Sequence, residues 1–207
     1  MGNNNHKLRA QVRRQVLVVG LLTFFTAMAI SSGTEAVVNR FPSALAALPF
    51  LLIIIAVGII FDMIGVAATA AAVAPFHAKA ARKIPGAKQA ISLLNHADKV
   101  ASFCNDVIGD ICGTVSGGLG ATIVFLLVSS HPDWNKAWLG TIMTGLIAAV
   151  TVGGKAGGKK LAIDHAEEII FLVGRCLAWI ERQTGWTLWP DKKNSKGGRK
   201  RNDHFNS

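Results

Sequence analysis

The sequence predicts an all-α integral membrane protein with about four spanning helices, a cytoplasmic helical hairpin and a C-terminal interfacial amphipathic helix. The 207-residue chain is 51% hydrophobic and only 16% charged, whereas soluble domains carry about 25% charged residues. Four runs contain no Lys, Arg, Asp or Glu, at residues 15–34, 41–61, 111–130 and 137–154. Each run is close to the length of about 17 to 25 apolar residues that a spanning helix needs. A soluble protein would have to bury four such helices completely in a small chain.

Basic residues are placed asymmetrically around these runs. The two ends of the chain and the loop between spans two and three hold 20 Lys and Arg, whereas the other two loops hold 2. The positive-inside rule therefore predicts a multi-pass protein of the cell membrane with both termini in the cytoplasm. The net charge of +10 fits attraction to anionic lipid, so the bilayer is the predicted partner. Nucleic-acid binding by the basic run Lys192–Arg201 is the less favoured alternative.

Three regions follow from this pattern. Residues 1–40 contain a basic N-terminus and the first span, whose apolar core is followed by Ala27-x-Ala29. That segment fits either an additional spanning helix or a cleaved signal peptide, and the rest of the topology is the same in both cases. Residues 41–190 form the main transmembrane domain, and residues 191–207 form a basic tail predicted to be disordered.

The loop between spans two and three predicts the helical hairpin. Pro75 should end or kink the second spanning helix, and Pro85-Gly86 divides the following polar segment into two short helices. After Gly86, apolar residues recur at helical spacing, which indicates helices lying near the membrane surface.

The third and fourth spans carry helix-packing and interface signals. Gly113-x-x-x-Gly117 and Ser116-x-x-x-Gly120 are patterns of small residues that allow helices to approach closely. Trp134 and Trp138 are placed as anchors at the membrane boundary.

An amphipathic stretch, Ile163 to Ile180, follows the fourth span. Its acidic start suits a helix N-terminus, and Arg175 in its centre favours an interfacial over a spanning helix. Its predicted apolar stripe consists of Ile169, Leu172, Val173, Cys176 and Ile180.

Three segments resemble the transmembrane domain of CorC/CNNM-type magnesium transporters. Phe61-Asp62-Met63-Ile64-Gly65-Val66-Ala67 is similar to the family's Phe-Ser-x-Ser-Glu-x-Ala. The segment from Leu94 to Ser102 resembles Leu-x-x-Asn-Pro-Asp-Arg-x-Leu-Ser and leads into Ile108-Gly109-Asp110, where the family has Ile-Gly-Asn. The Gly-rich stretch from Val152 to Ala162 resembles Gly-Glu-x-x-Pro-Lys-x-Leu-Ala.

This resemblance covers about residues 44–185 and implies a homodimeric membrane domain with a cytoplasmic hairpin. It implies a magnesium site made of Ser, Asn, Glu and backbone carbonyls. Here the Ser positions hold Asp62 and Ile64, the first Glu position holds Gly65, and the last Glu position holds Lys155. The family's cytoplasmic nucleotide-binding regulatory domains have no counterpart, so the resemblance is to a transmembrane domain standing alone.

The candidate metal ligands are Asp62, Asn105, Asp106 and Asp110, considered together with Lys155. Carboxylate and amide oxygens suit Mg²⁺, and a charge deep in a bilayer requires a partner, water or a cation. Three interpretations stay open. The residues form a relocated cation or proton site; Lys155 neutralises one Asp while the others hydrogen-bond; or the residues are hydrated at the cytoplasmic interface.

No motif indicates an enzyme. Cys104, Cys112 and Cys176 have no zinc or CxxC spacing, and the Lys155 segment lacks the Ser/Thr that a P-loop requires after its Lys. No cofactor is firmly implied, with Mg²⁺ the one candidate. The sequence thus predicts a structural or partner-binding membrane protein, either a homodimer or bound to another membrane protein. The alternative is a divalent-cation transporter with a rearranged acidic site.

Overall fold

The computed structural model describes residues 2–38, 44–131 and 133–184, and all regular structure in these ranges is helical. Short connections separate most helices, as expected for a helical bundle. The helices are α1 (Gly2–Val38), α2 (Ala44–Ala70), α3 (Ala74–Ala81), α4 (Ala87–Asn95), α5 (Ala97–Ser102), α6 (Asp110–Ser130), α7 (Lys136–Asp164) and α8 (Ala166–Thr184). A π-helical segment, Phe103–Gly109, joins α5 to α6.

Four helical stretches are long and apolar enough to cross a membrane. They are Val16–Gly33, Ala47–Ala70, Ala97–Ser130 and Lys136–Asp164. The predicted fold class is therefore confirmed, and the chain is a multi-pass integral membrane protein. The third stretch combines α5, the π-helical segment and α6, so it begins before the uncharged run 111–130 that identified this span in the sequence.

Helix α2 occupies the centre of the bundle and packs against α6, the π-helical segment and α7. One core cluster includes Leu51 and Ile55 of α2 with Leu119 and Ile123 of α6. Helix α1 lies at the periphery, where Ala27 and Ile30 pack against a cluster formed by Val107, Ile111 and Val115.

The predicted break after the second span is present. Helix α2 ends at Ala70, and Pro75 lies in the first turn of α3. Proline is accommodated there because the first-turn N–H groups have no partner within the helix. The predicted hairpin is also present as α3 and α4, which are separated by the turn containing Pro85 and Gly86.

Helix α8 packs against α4, and of the predicted stripe only Ile169 and Val173 are partly buried against the adjoining core. Its buried residues are Ala166, Ile170 and Gly174, whereas Leu172 is 61% exposed. Gly174 lies against Gly86, and a Cβ atom on Gly174 would come within 2.5 Å of the Gly86 carbonyl oxygen. The apolar periodicity predicted the helix, but the small residues determine the face that packs on α4.

Two predicted features lie outside the described residues. One is the beginning of the second uncharged run, at residues 41–43. The other is the end of the chain, with the basic tail 191–207.

Candidate functional site

Among the described residues, Asp62 is the one charged residue that is buried. It lies on α2, is 3% exposed, and faces α7 and the π-helical segment. Two lysines one turn apart on α7 approach it. Lys155 Nζ lies 3.8 Å from Oδ1, and Lys159 Nζ lies 3.8 Å from Oδ2. Both distances fall within the range of ion pairs, but they are too long for hydrogen bonds.

Glycines create the space for this ion-pair cluster, defined here as Asp62, Lys155 and Lys159. A Cβ atom on Gly109 would lie 3.3 Å from Lys155 Nζ and 3.8 Å from Asp62 Oδ1. A side chain at this position would therefore crowd the Lys155 ammonium and require it to shift by a few tenths of an ångström. The sequence analysis identified Gly109 only as part of a family-like motif.

The Gly-rich stretch of α7 is a helix-packing surface. A Cβ atom on Gly154 would overlap Ile59 of α2, and one on Gly158 would lie 2.9 Å from Met63 Cγ. These two glycines, four residues apart, let α7 approach α2 closely enough for Lys155 and Lys159 to reach Asp62. The spacing is the small-xxx-small signal, which the sequence analysis noted only in α6.

Asn105 extends the polar region around Asp62. It adjoins α2 at Gly65, about one helical turn after Asp62. Its amide group lies against Gly65, where a Cβ atom would overlap the Asn105 Oδ1 atom. Asn105 Oδ1 and Asp62 Oδ2 are both buried without a hydrogen-bond donor from the described residues. Buried oxygens of this kind usually bind a donor, water or an ion.

Asp106 and Asp110 do not join the cluster. Both are exposed, and Asp106 accepts a hydrogen bond of 2.9 Å from Ser102 Oγ. Among the described residues, no group of three or more His, Cys, Asp or Glu side chains is placed to hold a metal ion. Of the sequence-predicted residues, Asp62, Asn105 and Lys155 lie near one another, while Asp106 and Asp110 face outward.

The depth of these residues follows from helix length. Lys155 lies nineteen residues after Lys136, which corresponds to about 29 Å at 1.5 Å per residue. Asp110 lies twenty residues before Ser130, or about 30 Å along α6. Because the hydrocarbon core is about 30 Å thick, both residues lie near the edge of the bilayer that α3, α4 and α8 adjoin.

The chain matches no family model, no curated protein and no solved structure. The resemblance to magnesium transporters therefore stays a prediction based on the motifs given above.

Proposed function

We propose that this integral membrane protein has a structural or partner-binding role and does not carry divalent cations. The observation that supports the proposal is the sharing of Asp62 between two lysines. The cluster contains one carboxylate and two ammonium groups, so its formal charge is +1 with all three groups ionised. A divalent cation would have to enter against this charge or displace Lys155.

Displacing Lys155 is unfavourable because Asp62 is buried. Removing one partner from a buried ion pair costs about 3 to 5 kcal/mol in proteins. The ammonium of Lys155 thus occupies the position that a bound cation would need. The resemblance leads to the same proposal, since Lys155 stands where the related transporters have a ligand Glu.

The outer surface of the bundle supports a partner-binding role. Only Ile147, Gly158 and Ala162 of the 29-residue helix α7 are buried. Helices α6 and α7 also border a groove of about 430 Å³ whose lining includes several glycines. A spanning helix with so little burial and so many small residues suits docking of another helix.

Magnesium titration tests the proposal. Thermal melts of the wild type and of Lys155→Glu in detergent micelles would be recorded across a MgCl₂ series. We expect little magnesium-dependent stabilisation of the wild type. Lys155→Glu should be stabilised by magnesium, because it adds a carboxylate beside Asp62. Lys160→Glu is the matched control, since Lys160 is exposed and forms no ion pair with the described residues. Strong magnesium stabilisation of the wild type would contradict the proposal.

Ion flux in proteoliposomes gives the second measurement. Wild-type protein should release no more Mg²⁺ than vesicles that contain Asp62→Asn. Flux that requires Asp62 would overturn the proposal.

Two buried oxygens that have no hydrogen-bond donor among the described residues favour one second candidate, transport of a cation or proton. Asp62 Oδ2 and Asn105 Oδ1 are oxygen ligands of the type that hard cations bind. In this alternative, Lys155 would leave Asp62 when the ion binds. This candidate would be supported by an ion flux that is abolished in Asn105→Leu and increased in Lys155→Met.

A further inference from the structure

We propose that helix α8 and the turn between α3 and α4 form a docking surface for anionic phospholipid headgroups of the adjoining leaflet. This lipid-docking surface shares no residue with the ion-pair cluster and goes beyond the proposed function. Three features support it: an uncovered apolar strip, a row of unpaired cations, and a lysine whose backbone conformation favours glycine. Its residues, all exposed, are Arg82, Lys83, Ile84, Leu172, Arg175, Cys176, Trp179 and Arg182.

The side of α8 that faces away from the bundle carries apolar residues that none of the described helices covers. Leu172, Cys176 and Trp179 recur at positions i, i+4 and i+7, so they share one face. Trp179 is 64% exposed, whereas Ile170 and Gly174 are buried on the opposite face. A helix with such an outward strip suits the boundary of a bilayer, and tryptophan is enriched at this boundary.

The preceding span holds α8 at the membrane boundary. Helix α7 ends at Asp164 and α8 begins at Ala166, so a single residue separates them. Leu161 and Ile163, near the end of α7, are exposed, and the apolar surface of the span thus extends to the start of α8. The leaflet itself is therefore the nearest partner for the strip on α8.

A row of cations follows one edge of the apolar strip. Arg175 and Arg182 are seven residues apart, so they share a face of α8 next to Trp179. Both are exposed, and neither forms an ion pair with a carboxylate of the described residues. Glu168 lies two turns before Arg175, where it is 3.3 Å from His165 Nδ1. This edge of α8 therefore presents unpaired positive charge.

Two contacts fix the α3–α4 turn against the basic side of α8. Lys79 Nζ of α3 lies 4.4 Å from the centre of the Phe171 ring of α8, a cation–π contact that holds α3 on α8. After the turn, a Cβ atom on Gly86 would lie 2.8 Å from Arg175 Cγ. The residues between Lys79 and Gly86 are thus held beside Arg175.

The turn adds two cations, one of them in an unusual backbone conformation. Arg82 and Lys83 are exposed and form no ion pair with the described residues. Lys83 has φ +56° just after the end of α3, a position that glycine or asparagine usually occupies. A residue kept in such a conformation indicates a functional use of its side chain. Here the side chain supplies a cation beside Ile84, which is itself 37% exposed.

Anionic phospholipid is the occupant that fits both parts of this surface. Arginine and lysine side chains without a carboxylate partner can donate charge-assisted hydrogen bonds to a headgroup phosphate. The apolar strip would then enter the boundary between headgroups and acyl chains. A soluble acidic protein would match the charges, but it would have to displace α8 from the leaflet beside which α7 holds it.

Cys176 allows docking to be measured in the full-length protein. It is exposed on the strip, whereas Cys104 and Cys112 are buried, so N-ethylmaleimide should modify it first. The protein would be reconstituted in nanodiscs of phosphatidylcholine with increasing fractions of phosphatidylglycerol. Mass spectrometry would follow the modification rate, with Cys176→Ser as the background. Every protein keeps residues 191–207, so the basic tail contributes equally throughout.

We expect Cys176 modification to slow as phosphatidylglycerol increases, because docking covers the strip. At one lipid composition, Arg175→Gln should weaken this docking about fivefold, the equivalent of about 1 kcal/mol for one basic side chain near an anionic surface. Lys99→Gln is the matched control and should behave as the wild type. Lys99 is also exposed, but it belongs to α5, which packs on α2 and the π-helical segment.

Lys83→Gly separates lipid binding from a structural role of the turn. Glycine adopts positive φ angles readily, so the thermal midpoint of this variant should not fall. The lost cation should nevertheless weaken docking about fivefold. Docking equal to that of the wild type would remove Lys83 and the turn from the surface and overturn the proposal.

Three further outcomes would overturn the proposal. Equal modification rates with and without phosphatidylglycerol would exclude anionic headgroups as the occupant. Rapid modification in every lipid mixture would exclude the leaflet and favour an acidic protein partner. Equal sensitivity to Lys99→Gln and Arg175→Gln would show that this surface is not the binding site. None of these measurements uses magnesium or ion flux, so failure of lipid docking and failure of the proposed function give different results.

Discussion

Lys155 of α7 and Asp62 of α2 form an ion pair across the centre of the bundle, with Nζ 3.8 Å from Oδ1. The pair forms beside Gly109, where a Cβ atom would lie only 3.3 Å from the Lys155 ammonium nitrogen. Asp62 is almost fully buried, whereas the Lys155 side chain retains 22% exposure. The pair thus lies at the polar end of the bundle, and the Lys155 ammonium stays partly accessible to solvent.

Lys155→Met should lower the stability of the protein. The change leaves Asp62 with Lys159 alone, so we expect the free energy of unfolding to fall by about 3 kcal/mol, the lower end of the range for breaking a buried pair. The measurement is the free energy of unfolding in mixed micelles, with Lys160→Met as the control. The double variant Asp62→Asn/Lys155→Met should recover part of the loss. Equal stability of Lys155→Met and Lys160→Met would contradict a stabilising contribution from the Lys155–Asp62 ion pair.

Gly158→Leu should destabilise the bundle, while Gly157→Leu should not. A side chain at Gly158 would collide with Met63 and Ile59 of α2, whereas a Cβ atom at Gly157 meets nothing within 4 Å. Overpacking a closely packed site typically costs about 1 to 3 kcal/mol. Thermal melts of the two variants provide the comparison, and similar midpoints would argue against close packing of α7 on α2.

Gly86→Ala should loosen α8 from the hairpin. Gly86 has φ +90°, a conformation that favours glycine, and a Cβ atom there would lie 2.7 Å from the Arg175 backbone nitrogen. We expect faster amide hydrogen exchange throughout α8. Gln89→Ala removes the 2.7 Å hydrogen bond to Glu181 and should have a smaller effect, about 1 kcal/mol. Unchanged exchange in Gly86→Ala would contradict this account of the α4–α8 contact.

Single cysteines test the orientation in the membrane. The 20-to-2 distribution of Lys and Arg predicts that cysteines at Asn4 and Ser195 react only with reagents that enter the cytoplasm. A cysteine at Asn135 should react from the outside. External labelling at Ser195 would contradict the topology. Loss of Asn4 from the mature protein would instead identify the first segment as a cleaved signal peptide.

The amino-acid sequence by itself determined the class of the protein and the order of its helices. Uncharged runs of membrane length define the spans because the bilayer excludes charges. Pro75 and Pro85-Gly86 define the hairpin because they interrupt backbone hydrogen bonding. These signals are local, so they can be read without knowing how the helices pack.

Only the tertiary structure decided which polar residues meet. Asp62, Asp106 and Asp110 were equivalent candidates for pairing with Lys155 in the sequence, but only Asp62 lies on a face covered by α7. Likewise, Gly113/Gly117 and Ser116/Gly120 have the same spacing, yet among the described residues only the second pair is packed against other side chains. Helical periodicity specifies which residues share a face, whereas the rotation of each helix against its neighbours depends on contacts between segments distant in sequence.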